Sequence, residues 1–193
     1  MIPGPIEFEP DVLDAMAIKT ESHVDPAFIA RFGDCLRAMR ELFQAPEGQP
    51  FVIAGSGTLA MEIATANLVE PGDGVLLVNS GYFSDRFATL LTRYGATVEQ
   101  VRAPIGHAPA ADEVAAALDQ GSFKALVATH VDTSTGVRVD VEPLARLARE
   151  RGVLSIFDGV CATGGERFEQ SRWEADLYLT ASQKAIGVPP GLA

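Results

Sequence analysis

Cysteine and histidine are scarce in this sequence of 193 residues, which contains two of the first and three of the second. Cys35 and Cys161 do not make a disulfide framework, so a reducing, cytoplasmic compartment is predicted. The histidines are scattered without the spacing of metal ligands, and we therefore predict no metal site.

Basic residues and long apolar runs are also lacking. There are 15 Lys and Arg against 26 Asp and Glu, so the formal net charge is −11. An acidic surface repels phosphate backbones, which argues against a nucleic-acid partner. No apolar run approaches the ~20 residues that cross a bilayer. The first five residues lack a basic region followed by an apolar run, so neither a membrane segment nor a secretory signal is predicted.

Hydrophobic residues make up 47% of the chain, enough for one sizeable core. From residue 51 onwards, short apolar runs alternate with segments of helical periodicity. The runs are 51–54, 75–78, 98–101, 125–129, 154–157 and 177–179, and the main helical segments are 59–68, 84–94, 111–118 and 141–149. This alternation predicts a three-layer α/β/α fold with a mostly parallel sheet.

The N-terminal region has a different pattern. Three prolines in residues 1–20 predict an extended arm that ends in a short helix from about Asp11. Residues 26–44 show helical spacing, with Asp25 as N-cap and Pro26 at the first helical position. We therefore divide the chain into an arm, residues 1–20, and a single domain, residues 21–193.

Ligands of such sheets bind beyond the carboxyl ends of the strands, so the residues that follow each run should converge. Ser56, Gly57 and Thr58 follow the first run and open a helix, where a phosphate site and a plain tight turn are about equally good interpretations. The same turn matches the dinucleotide fingerprint G-x-G-x-x-A. The second strand ends without the acidic residue that would bind a ribose, which counts against a nucleotide.

Two charged residues follow later runs. Asp158 ends an apolar strand, where a carboxylate needs either a cationic partner, such as a protonated heterocyclic nitrogen, or hydrogen bonds from backbone or arginine. Lys184 comes shortly after the last run, where desolvation would favour the neutral, nucleophilic amine. Taken alone, a solvated surface lysine is the commoner case.

Other residues at the same edge each allow two interpretations. Phe83 offers a flat face for ring stacking or is ordinary core. Thr133 and Ser134 supply hydroxyls or simply form a turn. His130 is either a general base or, as the safer interpretation, a structural histidine.

Six short motifs occur in a defined order along the chain. They are Pro3-Gly4-Pro5, Ala54-Gly55-Ser56-Gly57-Thr58, Thr129-His130-Val131-Asp132-Thr133-Ser134-Thr135-Gly136, Phe157-Asp158-Gly159-Val160, Ser182-Gln183-Lys184 and Pro189-Pro190-Gly191. In their order and spacing, these motifs resemble those of the class V, fold type I aminotransferases that use pyridoxal phosphate, and among them the alanine–glyoxylate and serine–pyruvate group. The resemblance extends over nearly the whole chain.

This resemblance implies a role for each candidate residue. Lys184 would hold the cofactor covalently and then transfer a proton, and Asp158 would pair with the pyridine nitrogen. The remaining implied contacts are to the phosphate (Ser56, Gly57, Thr58 and Gln183), to the two ring faces (Phe83 and Val160) and to the phenolic oxygen (Thr133). The Pro-Gly-Pro arm would reach the active site of a partner subunit in a homodimer.

The resemblance also implies more chain than is present here. In the family, an antiparallel strand inside the sheet and a smaller C-terminal domain, with the arginine that binds the substrate carboxylate, follow the lysine loop. We therefore expect this sequence to be part of a longer polypeptide, and a peroxisomal signal at its far end stays possible.

The expected activity is transfer of the amino group of a small amino acid, alanine or serine, to glyoxylate or another 2-oxo acid. Three alternatives stay open. They are a cysteine desulfurase or other lyase with the same cofactor, an NAD-binding oxidoreductase, and a truncated protein without activity. Desulfurases usually place histidine where Gln183 stands, and neither cysteine lies where their reactive thiol is expected.

Overall fold

The computed structural model describes residues 6–193. The Pro3-Gly4-Pro5 motif of the predicted arm lies outside the described residues. Seven helices are found in the described part of the chain: α1 (Pro10–Met16), α2 (Pro26–Leu42), α3 (Gly57–Leu68), α4 (Tyr82–Arg93), α5 (Ala111–Leu118), α6 (Val141–Glu150) and α7 (Gln170–Trp173). No helix within residues 6–193 combines the length and the apolar character that crossing a bilayer requires.

Nine strands accompany these helices: β1 (Ala54–Gly55), β2 (Gly74–Asn79), β3 (Thr97–Arg102), β4 (Ala125–Thr129), β5 (Val131–Asp132), β6 (Val137–Arg138), β7 (Leu154–Asp158), β8 (Leu177–Leu179) and β9 (Gly191–Leu192). Five of them form one sheet in the order β3-β2-β4-β7-β8, and every pair in it is parallel. The predicted mostly parallel sheet is therefore confirmed.

Two hydrophobic clusters lie on opposite faces of this sheet. Along β2, Leu76 and Val78 belong to the cluster beneath α5, α6 and α7, whereas Val75 and Leu77 belong to the cluster beneath α3 and α4. Strands covered on both faces have no polar alternation, which explains why they read as continuous apolar runs. The three-layer α/β/α prediction is confirmed by this arrangement.

One predicted strand was wrong. Residues 51–54 do not join the parallel sheet; only β1 is extended and paired, and it runs antiparallel to β9 in a separate two-stranded sheet. Ile53 also exchanges two backbone hydrogen bonds with Ala193, both 2.9 Å long. Phe51 is 76% exposed, so this apolar run is not a core strand. The strand–turn–helix context that the dinucleotide fingerprint needs is therefore missing, because β1 is not part of the parallel sheet.

The N-terminal helices lie at the surface. The side chain of Asp25 accepts a 2.8 Å hydrogen bond from the Ala27 amide and caps α2, as predicted. Neither α1 nor α2 contains a buried residue. The division into an arm and a domain stays a prediction.

Candidate active site

The amino terminus of α3 meets two other loops at Gly57. A Cβ atom on this buried glycine would lie 2.7 Å from Val160 Cγ2 and 3.5 Å from the Cβ of Ala181. Val160 follows β7 and Ala181 follows β8, so the start of α3 packs against the carboxyl ends of two adjacent strands. Only a residue without a side chain permits this approach.

The first turn of α3 leaves backbone donors without a partner. Ser56 is the N-cap, and its hydroxyl accepts a 3.4 Å hydrogen bond from the Leu59 amide. The amides of Gly57 and Thr58 have no hydrogen-bond acceptor within residues 6–193. Unbonded amides at a helix N-terminus bind anions, because the donors and the helix dipole both favour negative charge.

Arg86 lies one helical turn from Phe83 and reaches back to this helix start. Its Nη1 donates to Thr58 Oγ1 at 2.8 Å, and its Nη2 donates to the Tyr82 hydroxyl at 2.7 Å. The guanidinium also lies over the rings of Tyr82 and Phe83, 5.1 and 5.8 Å from their centroids. Arg86 therefore adds positive charge beside Thr58.

Asp158 is a buried carboxylate at the end of β7. Its side chain is 2% exposed, and Oδ1 accepts a 3.0 Å hydrogen bond from the Val160 amide. No lysine, arginine or histidine of residues 6–193 forms an ion pair with it. Burial is the main cause that raises the pKa of this carboxyl to about 7; the negative charge of Asp132 contributes to the rise, and hydrogen bonds from Val160 and Thr129 oppose it.

Lys184 lies on the loop that continues from β8, next to the strand that carries Asp158. In the register of β7 and β8, Asp158 is opposite Leu179, and the Gly159 amide donates to the Leu179 carbonyl at 2.8 Å. Lys184 is partly rather than fully buried. Its carbonyl accepts a 2.9 Å hydrogen bond from the Gly187 amide, which shapes the loop as a tight turn.

Ser182 holds the base of this lysine loop. Its hydroxyl donates to the Pro189 carbonyl at 2.7 Å, and its amide donates to the Leu192 carbonyl at 3.1 Å. These two hydrogen bonds tie the start of the lysine loop to β9 and to the residues just before it. Gln183 lies within it and is partly buried.

Phe83 and Val160 are both partly buried against the hydrophobic cluster beneath α3 and α4. The Phe83 amide donates to Asp132 at 3.0 Å. Thr133 follows Asp132 directly, is partly buried, and its hydroxyl forms no hydrogen bond within the described part of the chain. The predicted site residues therefore lie at the first turns of α3 and α4, at the end of β7 and on the loops near them, at one edge of the sheet, while their individual roles remain predictions.

His130 has the environment of a structural residue, which agrees with the safer of its two interpretations. Its ring is fully buried and lies 2.9 Å from the Tyr178 hydroxyl through Nδ1. Burial is the main cause that lowers its pKa to about 4, so it stays neutral at physiological pH. Tyr178 also fills the space beside Gly159, where a Cβ would lie 2.0 Å from the ring.

Comparison with known proteins identifies the family of this chain. The family model for class-V aminotransferases matches residues 13–193. The chain belongs to the class-V aminotransferase family. It is 41% identical over 202 residues to alanine–glyoxylate aminotransferase 1 of Saccharomyces cerevisiae, covering 100% of this chain and 52% of that protein. It is 32% identical to the L-aspartate–glyoxylate aminotransferase of Paracoccus denitrificans, covering 100% of this chain and 50% of that protein.

Solved structures of this family superimpose closely on the chain. Ureidoglycine–glyoxylate aminotransferase from Bacillus subtilis matches with a TM-score of 0.96 at 29% identity, covering 100% of this chain and 50% of that one. Alanine–glyoxylate aminotransferase from Nostoc sp. matches with a TM-score of 0.92 at 39% identity, covering 99% and 51%. The chain thus spans about half the length of the relatives it matches.

Class-V aminotransferases work with pyridoxal phosphate, and the geometry fits that group. Asp158 offers a buried carboxylate that lacks a cation, as a protonated pyridine nitrogen requires. The start of α3 offers two unbonded amides and a nearby arginine, as a phosphate requires. Between them, Gly57 packs against Val160, so the helix start lies close to the end of the strand that carries the acid.

Sequence inspection missed three features of this site. Asp132, Arg86 and the contact of Gly159 with Tyr178 all contribute to it, and none had been singled out as functional. For Asp132 a signal was available, since a carboxylate three residues beyond an apolar strand needs a partner. The partners of Arg86 and Gly159 come from distant parts of the chain, so no local pattern indicates them.

The packing of Gly57 makes a testable prediction for the class-V site. A Gly57→Ala variant should be destabilised by about 1–3 kcal/mol, because its methyl group would overlap Val160. It should also bind pyridoxal phosphate more weakly, since α3 must move away from β7. Urea unfolding of the cofactor-free protein and a cofactor titration measure the two effects.

Two further variants serve as controls for Gly57→Ala. Gly33→Ala puts the same methyl group inside α2, where the nearest atom is an Arg37 guanidinium nitrogen at 3.5 Å, so stability should be unchanged or slightly higher. Adding Val160→Ala to Gly57→Ala should give a non-additive recovery of more than about 0.5 kcal/mol. Strict additivity would show that the two residues do not press on each other.

Proposed function

We propose that the full-length protein is a pyridoxal-phosphate aminotransferase that transfers the amino group of a small amino acid, alanine or serine, to glyoxylate or another 2-oxo acid. The observation that carries this proposal is the buried, cation-free carboxylate of Asp158 at the same sheet edge as Lys184 and the open amides of α3. Family membership supports it independently.

Each residue then has a specific task. Pyridoxal phosphate, when bound, supplies an aldehyde and an electron-withdrawing ring. Asp158 would accept a hydrogen bond from the protonated ring nitrogen. Burial raises the pKa of Asp158, and the positive charge of that nitrogen would compensate the buried carboxylate. Lys184 contributes the amine that binds the aldehyde and carries the proton to and from the substrate Cα.

The remaining residues bind and orient the cofactor. Ser56, Gly57 and Thr58 would bind the phosphate, with Gln183 assisting from the lysine loop. Phe83 and Val160 would contact the two faces of the ring, and the Thr133 hydroxyl would donate to the phenolic oxygen.

The names of the relatives favour glyoxylate as acceptor. Three of them are described as alanine–glyoxylate, L-aspartate–glyoxylate and ureidoglycine–glyoxylate aminotransferases. Their acceptor is the same and their donors differ. We therefore propose glyoxylate for the acceptor and a small donor, alanine or serine.

A steady-state assay with the full-length, cofactor-loaded protein tests this function. Alanine or serine with glyoxylate should yield glycine and the corresponding 2-oxo acid by ping-pong kinetics. Aspartate as donor tests the donor preference, and cysteine tests sulfide release. Sulfide formation without amino transfer would replace the proposal with the desulfurase alternative.

We further propose that the protein works as a homodimer in the cytoplasm. Large apolar side chains exposed on α1, α2 and the segment between them support a second copy covering this surface, among them Leu13, Met16, Ile18, Val24 and Ile29. Sedimentation of the full-length protein should give twice the monomer mass. A monomer at micromolar concentration would contradict the proposal.

A further inference from the structure

Asp132 occupies an unusual place in the fold. Its side chain is fully buried, and it lies in β5 on the loop that follows β4. It forms no ion pair with any of residues 6–193. A buried carboxylate without a cation is stable only when several donors satisfy it.

Those donors come mainly from the amino terminus of α4. Oδ2 of Asp132 accepts the amides of Phe83 at 3.0 Å and Ser84 at 3.2 Å. The N-cap residue of α4 is Gly81, which has no side chain to serve as a cap. A Cβ on Gly81 would lie 2.7 Å from Asp132 Cγ. The cap of this helix is therefore supplied by a residue about fifty positions later in the chain.

The other oxygen of the same carboxylate shapes its own loop. Oδ1 accepts the Ser134 amide at 3.0 Å and the Ser134 hydroxyl at 2.6 Å. That hydroxyl oxygen in turn accepts the Tyr82 amide at 2.9 Å. Thr133 lies between Asp132 and Ser134, so its backbone is held at both ends by this network.

The network continues to Asp158. The Ser84 hydroxyl donates to Thr129 Oγ1 at 3.3 Å, and Thr129 lies opposite Asp158 in the register of β4 and β7. The negative charge of Asp132 contributes to the raised pKa of Asp158. The Asp132 carboxylate therefore acts on three parts of the candidate site: it bonds the Phe83 amide, it bonds Ser134 next to Thr133, and its charge affects Asp158.

We propose that Asp132 is a positioning residue of the active site, which caps α4 from a separate loop and thereby fixes Phe83 against one face of the bound ring and Thr133 beside its phenolic oxygen. This inference rests on the proposed function, since the ring is that of pyridoxal phosphate. Asp132 itself touches neither cofactor nor substrate. It acts through the two residues that its oxygens orient.

A second aspartate, Asp176, is more exposed than Asp132 and provides a control for the loss of hydrogen bonds to a serine. Oδ2 of Asp176 accepts the amide and the hydroxyl of Ser155, at 2.8 and 2.9 Å, as Oδ1 of Asp132 accepts those of Ser134. Asp176 lies at the amino ends of the strands, on the edge of the sheet opposite the candidate site. Replacing it removes the same chemistry from a place where no cofactor contact is expected.

The experiment compares Asp132→Asn, Asp132→Ala and Asp176→Asn in the full-length protein. Asparagine keeps the size of the side chain but has one acceptor oxygen, so it cannot satisfy donors on both sides. Both Asp132 variants should raise the dissociation constant of pyridoxal phosphate by at least about tenfold, the factor that ~1.4 kcal/mol represents. At saturation the visible circular dichroism of the bound cofactor should also change. Asp176→Asn should lower stability but leave affinity and dichroism as they were.

Hydrogen exchange of the cofactor-free protein tests the positioning without any cofactor. In Asp132→Asn, peptides covering 81–90 and 130–138 should lose protection, whereas 141–150 should keep it. Unchanged exchange in the first two peptides, or lowered stability with unchanged affinity and dichroism, would overturn the proposal. Cofactor binding without amino transfer would contradict the proposed function and leave the role of Asp132 standing.

Discussion

Lys184→Ala is expected to abolish amino transfer, with a fall in rate of about 10³-fold or more. The estimate follows from the removal of a positioned proton-transfer group, which contributes typically 10²–10⁴-fold, together with the loss of the covalent attachment. The visible absorbance of the bound cofactor should shift in the same variant. An unchanged spectrum would remove Lys184 from its role.

The described part of the chain offers sharp controls, because these 193 residues contain three lysines. Lys124 lies at the amino edge of the sheet, where its Nζ pairs with Asp73 at 2.7 Å, and Lys19 lies in the exposed segment after α1. Borohydride reduction of the loaded protein followed by peptide mapping should find the cofactor on Lys184 and on neither of the other two. Added methylamine should restore part of the rate to Lys184→Ala, since a free amine can take over the proton transfer.

Asp158→Asn is expected to affect activity and stability in opposite directions. The rate of amino transfer should fall by about 10²–10³-fold, as is typical when one preorganised electrostatic contact is lost. The cofactor-free protein, in contrast, should become more stable at pH 8, because the variant no longer buries a charge. The upper bound is about 4 kcal/mol for a pKa shift from 3.8 to about 7.

The pH dependence of this stabilisation has a defined sign. The folded-state pKa of Asp158 lies above its unfolded value, so the folded protein keeps the proton that the unfolded chain loses between about pH 4 and 7. The stability of the unaltered protein therefore falls as pH rises through that window. Urea unfolding at pH 5 and pH 8 should show a gain for Asp158→Asn that grows with pH.

Asp73→Asn supplies the opposite case. A hydrogen bond from Lys124 holds the pKa of Asp73 below its usual value. This group therefore stabilises the fold when the pH lies above the usual pKa of an aspartate, and the stabilisation is lost as the pH falls through the lowered pKa. Its replacement should lower stability at neutral pH. If Asp158→Asn behaved like Asp73→Asn at pH 8, a cation would have to neutralise Asp158 in the cofactor-free protein.

The parallel sheet was predictable because its strands are buried on both faces. Residues 125–129 and 177–179 were predicted with the bounds that the structure shows, and the others within one or two residues at each end. Continuous burial produces apolar runs that end where the chain meets solvent. The prediction of a sheet strand at 51–54 was wrong, because an apolar run alone does not show whether a neighbouring strand will pair with it.

The sequence by itself determined the layered fold, the family and the chemical identity of the candidate residues, because these depend on local periodicity and on short motifs. Tertiary structure alone decided which residues support them. Gly57 must lack a side chain because Val160, about a hundred positions later on the loop after β7, packs against it. Asp132 caps a helix to which it is not adjacent in sequence. Contacts of this kind form when segments distant in sequence pack together, and the local sequence pattern does not indicate which segments will meet.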